Sequence, residues 1–412
     1  MKYTPILILL IFLSCQREHE TGTPGEQRVS DYTEEVITIS VDLTDIEEEL
    51  FMSDFFSELH YVHLNPPDNK YIGRTEKIIV TDDYVALFDK SQYSVWIFTH
   101  EGEYINQVQI PEGRGPGEII HITDVIITDN NYVKAMGALK IVVYNLDGEF
   151  IEETEIAFRA YSFTYDTLTE KYISYSGNSL NEILINEHAG KNIIKFDNSG
   201  NISESYLPIG EGREHIGFEV PNNFPTFNEY QRFFTHLVDT IYTIKNEGIY
   251  PEYVLDYGIR AIPEEVFARR QDYNMPVYRW ADFWNNEIIA NNYIAYLFYF
   301  NETDKWVHFR FGTRDKQFNA FYNKESYEVI TGPGRFYNDI DYGYVPFIYE
   351  SHGNALYTII EANDLLRHLN EIYSNKPEKY ADPDMRRVIE LGYSLSDNSN
   401  PILQIATFKN AD

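Results

Sequence analysis

Residues 84–118 read YVALFDKSQYSVWIFTHEGEYINQVQIPEGRGPGE, and this stretch decides the fold. Tyr84–Phe88, Val95–Phe98 and Tyr104–Gln109 are short runs rich in Val, Ile, Tyr, Phe and Trp, residues that suit a pleated, half-buried surface. Lys90-Ser91-Gln92 separates the first two runs. His100-Glu101-Gly102-Glu103 makes a tight turn between the second and third, with Gly102 supplying the positive φ such a turn needs. A glycine-rich corner, Gly113-Arg114-Gly115-Pro116-Gly117-Glu118, follows, and a new apolar run starts at Ile119. The stretch is a small antiparallel unit that ends by changing direction.

The unit recurs. Residues 144–150, 196–202 and 244–250 repeat the pattern of an aromatic or apolar strand end, a polar turn with glycine, and a new strand. Gly102, Gly148, Gly200 and Gly248 lie 46, 52 and 48 residues apart. A fifth version at 322–329 carries Ser326 instead of glycine, 78 residues further on, and an insertion with helical spacing at 263–286 accounts for the excess. A period near 50 with about four strands per period is the signature of a β-propeller, because a twisted four-stranded sheet cannot bury both faces unless neighbours stack on it around an axis. Val345–Tyr349, Ala355–Ile360 and Pro401–Lys409 supply three strands of a last blade, interrupted by a largely helical segment at 364–391. Leu59–Leu64 is available as its fourth strand, which closes the ring and removes the open edge. The expectation is an all-β, six-bladed propeller of four-stranded antiparallel blades, sealed by an amino-terminal strand; seven blades is the alternative count. Val36–Leu43 alternates as a further strand with no assigned place.

Residues 1–14 carry Lys2, an apolar run from Ile6 to Leu13 and the small Ser14, and are followed by Cys15, the one cysteine in the sequence. This resembles a bacterial lipoprotein signal, in which Cys15 becomes the acylated first residue. The apolar run is too short to span a bilayer. Gln16 is not the aspartate that retains such proteins at the inner membrane, so an outer-membrane site is expected. Residues 15–35 are polar, with Gly22, Pro24 and Gly25, and read as a flexible tether ahead of a propeller over 36–412. A single cysteine excludes an intramolecular disulfide. The formal net charge of −32 argues against nucleic acid as a partner and against a basic patch that would hold anionic lipid. The membrane contact expected is the acyl anchor on Cys15.

Taken together, Cys15, the Gly113–Glu118 corner, the turn from Tyr144 to Phe150 and the terminal run Asn400-Pro401-Ile402-Leu403 resemble the six-bladed β-propeller lipoproteins of gut Bacteroidota, distant relatives of NHL-repeat propellers. The resemblance covers essentially all of the mature chain, with the insertions at 263–286 and 364–391 the less typical parts. It implies architecture and anchoring, and no general activity.

Motifs for chemistry are absent from the sequence. It has no Gly-x-Ser-x-Gly, no His-Glu-x-x-His, no phosphate-binding glycine loop ahead of Lys-Ser/Thr, no EF-hand loop and no sialidase-type aspartate box. No cofactor and no metal site is expected. His60 and His63, three apart on a strand, fall on opposite faces, and Asp82-Asp83 and the Asp339/Asp341 pair read as turn and surface residues. The blade connectors say more. Arg114, Arg159, Arg213, Arg260 and Arg335 follow their turn residues by 12, 11, 13, 12 and 9 positions, and Arg74 stands in the connector before the first blade. Two readings compete. Each arginine braces its blade seam against a carboxylate, with Glu118 a ready partner for Arg114, or the set forms a cationic mouth that grips carboxylate or sulfate groups bidentately. Trp280, Phe283 and Trp284 make one aromatic stripe if the insertion is helical, either to pack it onto the ring or to stack against a flat ligand beside the arginines. The expected function is a ligand-binding or scaffolding module at the cell envelope, with an anionic glycan or a protein partner at the connector face. A lyase or hydrolase acting on an acidic polysaccharide, or a structural part of an outer-membrane transport complex, are the alternatives.

Overall fold

The computed structural model describes residues 35–67, 70–184, 187–218, 220, 222–228, 230–273, 281–346 and 350–409. Cys15, the signal and nearly all of the tether lie outside the described residues, as does Trp280. Six antiparallel sheets form the ring. Blade 1 comprises Thr75–Val80, Val85–Asp89, Ser94–Phe98 and Tyr104–Gln109; blade 2 comprises Asp124–Ile127, Tyr132–Met136, Lys140–Asn145 and Phe150–Glu155. Ser162–Asp166, Lys171–Tyr175, Lys191–Asp197 and Ile202–Pro208 make blade 3, and Thr226–Phe227, Tyr230–Phe233, Thr240–Lys245 and Gly248–Asp256 make blade 4. Blade 5 is built from Tyr296–Glu302, Trp306–Gly312, Gln317–Asn323 and Val329–Pro333. Blade 6 takes Glu350–His352, Ala355–Ile360 and Ile402–Phe408 from the carboxy-terminal part and Phe56–His63 from the amino-terminal part. The fold is the six-bladed propeller that the repeat predicts.

The turns explain the spacing. Gly102, Gly148 and Gly200 have φ of 84°, 85° and 80°, so each hairpin closes in a backbone conformation that costs glycine nothing. Gly102 has a second constraint. A Cβ there would lie 2.0 Å from the His63 carbonyl oxygen, because the hairpin tip of blade 1 abuts the outer strand of blade 6. Gly248 departs from the set. It lacks the positive φ and already belongs to the outer strand of blade 4.

Closure is antiparallel, with Phe56 opposite Phe408 and His63 opposite Ile402. Phe55, Phe56 and Leu59 drop into a core shared with Phe321, Phe336 and Phe408, all 5% exposed or less. Phe55 stacks on Phe321 at 3.7 Å. Asp341, expected at the surface, is 6% exposed, and it accepts hydrogen bonds from Tyr61 Oη, Asn338 Nδ2 and the Gly343 amide at 3.2, 2.7 and 2.9 Å. The carboxylate therefore ties the closing strand to the connector of the blade before it.

Two other elements depart from expectation. Ile37–Ser40 adds a fifth strand to blade 4, parallel to Gly248–Asp256, and its Ile39 is fully buried. Residues 347–349 of the predicted strand Val345–Tyr349 lie outside the described residues, and the inner strand of blade 6 is Glu350–His352. The segment expected to be helical at 364–391 forms the helices Ala362–Asn375, Pro377–Tyr380 and Arg386–Tyr393. Among the described residues no helix is long and apolar enough to cross a membrane.

Candidate functional site

In blades 1, 2, 3 and 5 the strands run in sequence order from the axis to the rim; blade 4 adds Ile37–Ser40 outside its own four, and blade 6 takes Phe56–His63 as its outermost strand. Successive strands reverse direction, so the connector between blades and the loop joining second and third strands emerge at the same end of the ring. We call this end the top. The insertion between blades 4 and 5 and the helical insertion of blade 6 both rise from it, the former between Asp256 and Tyr296 and the latter between Ile360 and Ile402.

All six connector arginines lie at this end, but their partners differ. Arg213 is bonded through both terminal nitrogens to Glu264 at 2.7 and 2.8 Å and lies over the Phe267 ring at 3.9 Å. Its first duty is to hold the insertion helix Glu264–Ala268. The hydrogen bond and charge from Arg213 outweigh partial burial and keep the Glu264 carboxyl below its usual range. Arg335 donates to the Val345 carbonyl at 3.4 Å and lies over the Tyr344 ring, within its own connector. Arg74 is 84% exposed and 3.8 Å from Glu76, a pair worth about 0–1 kcal/mol. Arg260 is half-buried, with its backbone bonded to Tyr257 and Ile294. Arg114 and Arg159 are exposed and make no ion pair among the described residues. Glu118, the partner expected for Arg114, instead accepts from the Gly115 amide at 2.8 Å and braces the glycine corner.

The arginine that braces a blade seam sits elsewhere. Arg232, on the second strand of blade 4, is 5% exposed and donates to Glu302 of blade 5 at 2.8 Å. Glu302 also receives Tyr253 Oη at 2.6 Å and Lys324 Nζ at 3.0 Å. Burial works against the ionised carboxylate, but the Arg232 hydrogen bond and charge win and hold it below its usual range.

Of the aromatic stripe, Trp284 is 5% exposed and packs on Phe218 and Tyr296, so its ring fastens the insertion to the ring. Phe283 beside it is fully buried.

The top face holds a pocket of about 410 Å³ between the connector after blade 3, the Phe233–Tyr242 loop of blade 4, and the base of the insertion. Arg213 is the one connector arginine on its wall. The amides inside it are already used. Asn192 Nδ2 donates to Asn178 Oδ1 at 2.8 Å, Asn178 Nδ2 donates to the Ile216 carbonyl at 2.9 Å, and Thr235 Oγ1 donates to Tyr175 Oη at 2.7 Å. Asp239, Tyr242 and Tyr257 line the remainder. No motif marks these three, and only the ring brings the blade 4 loop against the insertion.

The axis carries a second polar group of residues. Lys77 of blade 1 pairs with Asp124 of blade 2 at 2.8 Å, both nearly buried, and Asp124 also accepts the Phe163 amide of blade 3 at 3.0 Å. Glu350 on the inner strand of blade 6 accepts from Asn222 Nδ2, which spans toward blade 4. Burial pushes the Glu350 carboxyl up to about 7, with Lys77 opposing. The folded chain thus holds this proton between pH ~4.5 and ~7 where the unfolded chain has lost it, so stability falls as pH rises through that window. Glu350→Gln is expected to differ from the parent by less than about 1 kcal/mol at pH 5 and to be more stable by about 3 kcal/mol at pH 8. Parallel denaturant titrations at the two pH values check this, and a variant with the parental slope would show that Glu350 does not titrate there.

Residues 34–407 match the family described as a domain of unknown function, DUF4934. The chain belongs to the DUF4934 family. Among solved structures, this DUF4934 protein is similar to a Bacteroides fragilis NCTC 9343 protein described as exported, with a TM-score of 0.70 and 16% identity over 91% of this chain and 100% of that one. At that identity the likeness is one of fold. A DUF4221 member from Bacteroides vulgatus matches at a TM-score of 0.45 and 11% identity, over 86% of this chain and 98% of that one. Virginiamycin B lyase from Staphylococcus aureus matches at 0.36 and 14%, over 73% and 80%. Neither of the last two carries weight for function. No curated protein matches the DUF4934 chain in sequence.

Proposed function

We propose that this DUF4934 protein is an exported, lipid-anchored binding module of the cell envelope, seated at the outer membrane, that takes a small ligand or the end of a larger one in the top-face pocket. The observation that carries the reading is the pocket itself, a cavity of about 410 Å³ walled by blades 3, 4 and 5 and an insertion that Arg213 and Trp284 fasten in place. Concave sites of a few hundred cubic ångströms, built where several elements meet, are where small molecules bind. Export is supported by the apolar run from Ile6 to Leu13 ahead of Cys15 and by the description of the Bacteroides fragilis structure.

Val238 lines the pocket, and Val238→Trp fills it. A thermal-shift screen of small metabolites and of neutral and acidic glycans should yield ligands whose stabilisation disappears in Val238→Trp. Ligands that stabilise parent and variant alike would place binding elsewhere. Cys15→Ala should fold normally yet leave the membrane fraction, since that residue carries the acyl chains; a variant still sedimenting with membranes would refute the anchor.

Arg114 and Arg159 favour a second reading, in which acidic glycan groups dock on neighbouring connectors of the same face. Both are exposed and unpaired among the described residues, in an otherwise acidic chain. Replacing either with alanine should then weaken binding of a sulfated glycan by roughly 1.5–3 kcal/mol without changing the melting temperature. Unchanged affinity in both variants would remove this reading.

A further inference from the structure

The polar atoms of the pocket are unevenly committed, and this bears on its ligand. The side-chain amides of Asn178 and Asn192 are spent on each other and on backbone, so they offer no planar donor–acceptor pair to a polyhydroxylated ring. The Arg213 guanidinium is neutralised by Glu264, so it offers little to an anion. Asp239 differs. It is exposed at the mouth, it accepts from Thr240 Oγ1 at 3.0 Å, and among the described residues it has no basic partner within ion-pair distance. Its field reaches inward. Burial first, and then the Asp239 carboxylate, push the Tyr257 hydroxyl well above its ordinary value; at Tyr242 burial again leads, with Asp239 adding to it and Arg213 opposing. Behind it the walls are aromatic and aliphatic: Phe233 and Leu297 are 1% and 2% exposed, and Tyr257 is 6% exposed and stacked on Phe311 at 5.1 Å.

We infer that the pocket takes a primary amine carried on an apolar body, with the ammonium at Asp239 and the body against Phe233, Tyr242, Tyr257 and Leu297. An unpaired carboxylate at the rim of an aromatic cavity favours a cation twice over, through direct pairing and through the negative faces of the tyrosine rings. The chain's overall charge of −32 adds long-range attraction of the same sign. An anion meets the opposite field at the same mouth.

This inference rests on the pocket being the binding site, and the test separates the two. The probes are 2-phenylethylamine, the uncharged 2-phenylethanol and the anionic 3-phenylpropionate, each titrated by calorimetry into the whole protein at pH 7. The amine is expected to bind at least fivefold more tightly than the alcohol at low salt, with the gap narrowing as salt rises. Asp239→Asn should erase that gap while the melting temperature stays that of the parent. If the alcohol or the anion binds as well as the amine and Val238→Trp abolishes it, the binding reading stands and the amine inference falls. An Asp239→Asn variant that keeps its preference for the amine also overturns it. If no probe binds, the amine inference falls, while the binding reading answers to the Val238→Trp screen.

Discussion

Removing residues 1–66 is expected to leave a chain with no cooperative melting transition. The deletion strips Phe56–His63 from Ile402–Phe408, so blade 6 keeps three strands and the ring an open edge. It also takes Phe55, Phe56, Leu59 and Tyr61 out of one core, with the Tyr61–Asp341 hydrogen bond. Losing a buried large apolar side chain costs about 2–5 kcal/mol, so three together approach or exceed the ~5–15 kcal/mol that holds a typical domain folded. The parallel strand Ile37–Ser40 goes as well, and with it the fully buried Ile39. Excising only residues 16–30 should change nothing. Circular-dichroism melts of the two deletions decide the matter, and a sharp transition for the longer deletion within a few degrees of the intact chain would disprove closure by this strand.

Arg232→Ala should be the most damaging single change of a charged residue, at about 3–5 kcal/mol. The reason is what it leaves behind. Glu302 is 5% exposed overall and would stand charged between blades 4 and 5 with Lys324 and Tyr253 as its remaining partners. Arg213→Ala, by contrast, abandons a Glu264 whose side chain is 77% exposed, and should cost about 1 kcal/mol or less. The Glu302 effect has a pH signature. Its folded carboxyl is depressed, so the stabilisation is present above pH ~4.5 and fades as pH falls through the lower folded value. Urea titrations at pH 7 and pH 4 should therefore show parent and Arg232→Ala converging at the acid end. Equal gaps at both values would mean that packing, not charge, explains the loss. The paired change of Arg232 and Glu302 to methionine should recover much of the stability at pH 7, since both desolvated charges then go together.

What was legible in the sequence was what repeats. Glycine at the hairpin tips recurs because the same backbone conformation recurs at Gly102, Gly148 and Gly200, and a period near 50 follows from four strands per blade. Leu59–Leu64 could be assigned to blade 6 by subtraction, since that blade was one strand short, and the strand found there is Phe56–His63. Ile37–Ser40 could not, because a parallel strand on the rim of blade 4 completes no unit and its alternation names no neighbour. The connector arginines were placed correctly along the chain, yet their partners come from insertions and neighbouring blades whose approach no spacing encodes. Glu118 was adjacent to Arg114 in sequence and still bonds a glycine amide. Asp341 resembled a loop aspartate and proved to be a buried latch, visible only once Tyr61 arrives from 280 residues away. Asp239 and Tyr257 lie on separate loops without any motif, so the pocket they line belongs to the assembled ring.

The seal between Phe56 and Phe408 also sets a clock. The strand that closes the ring is made before blades 1 to 5, and its partner only after them. At roughly 5–20 residues per second, the amino-terminal strand waits on the order of 20–70 s for its mate. Blades 1 to 5 can form locally in that interval, but none of them can stand in for Ile402–Phe408, and blade 6 remains an incomplete sheet beside a gap. The chain is thereby held in an unlocked state until Ile402–Phe408 has joined it. A chain that stops short of Ile402 is a ring that never shuts.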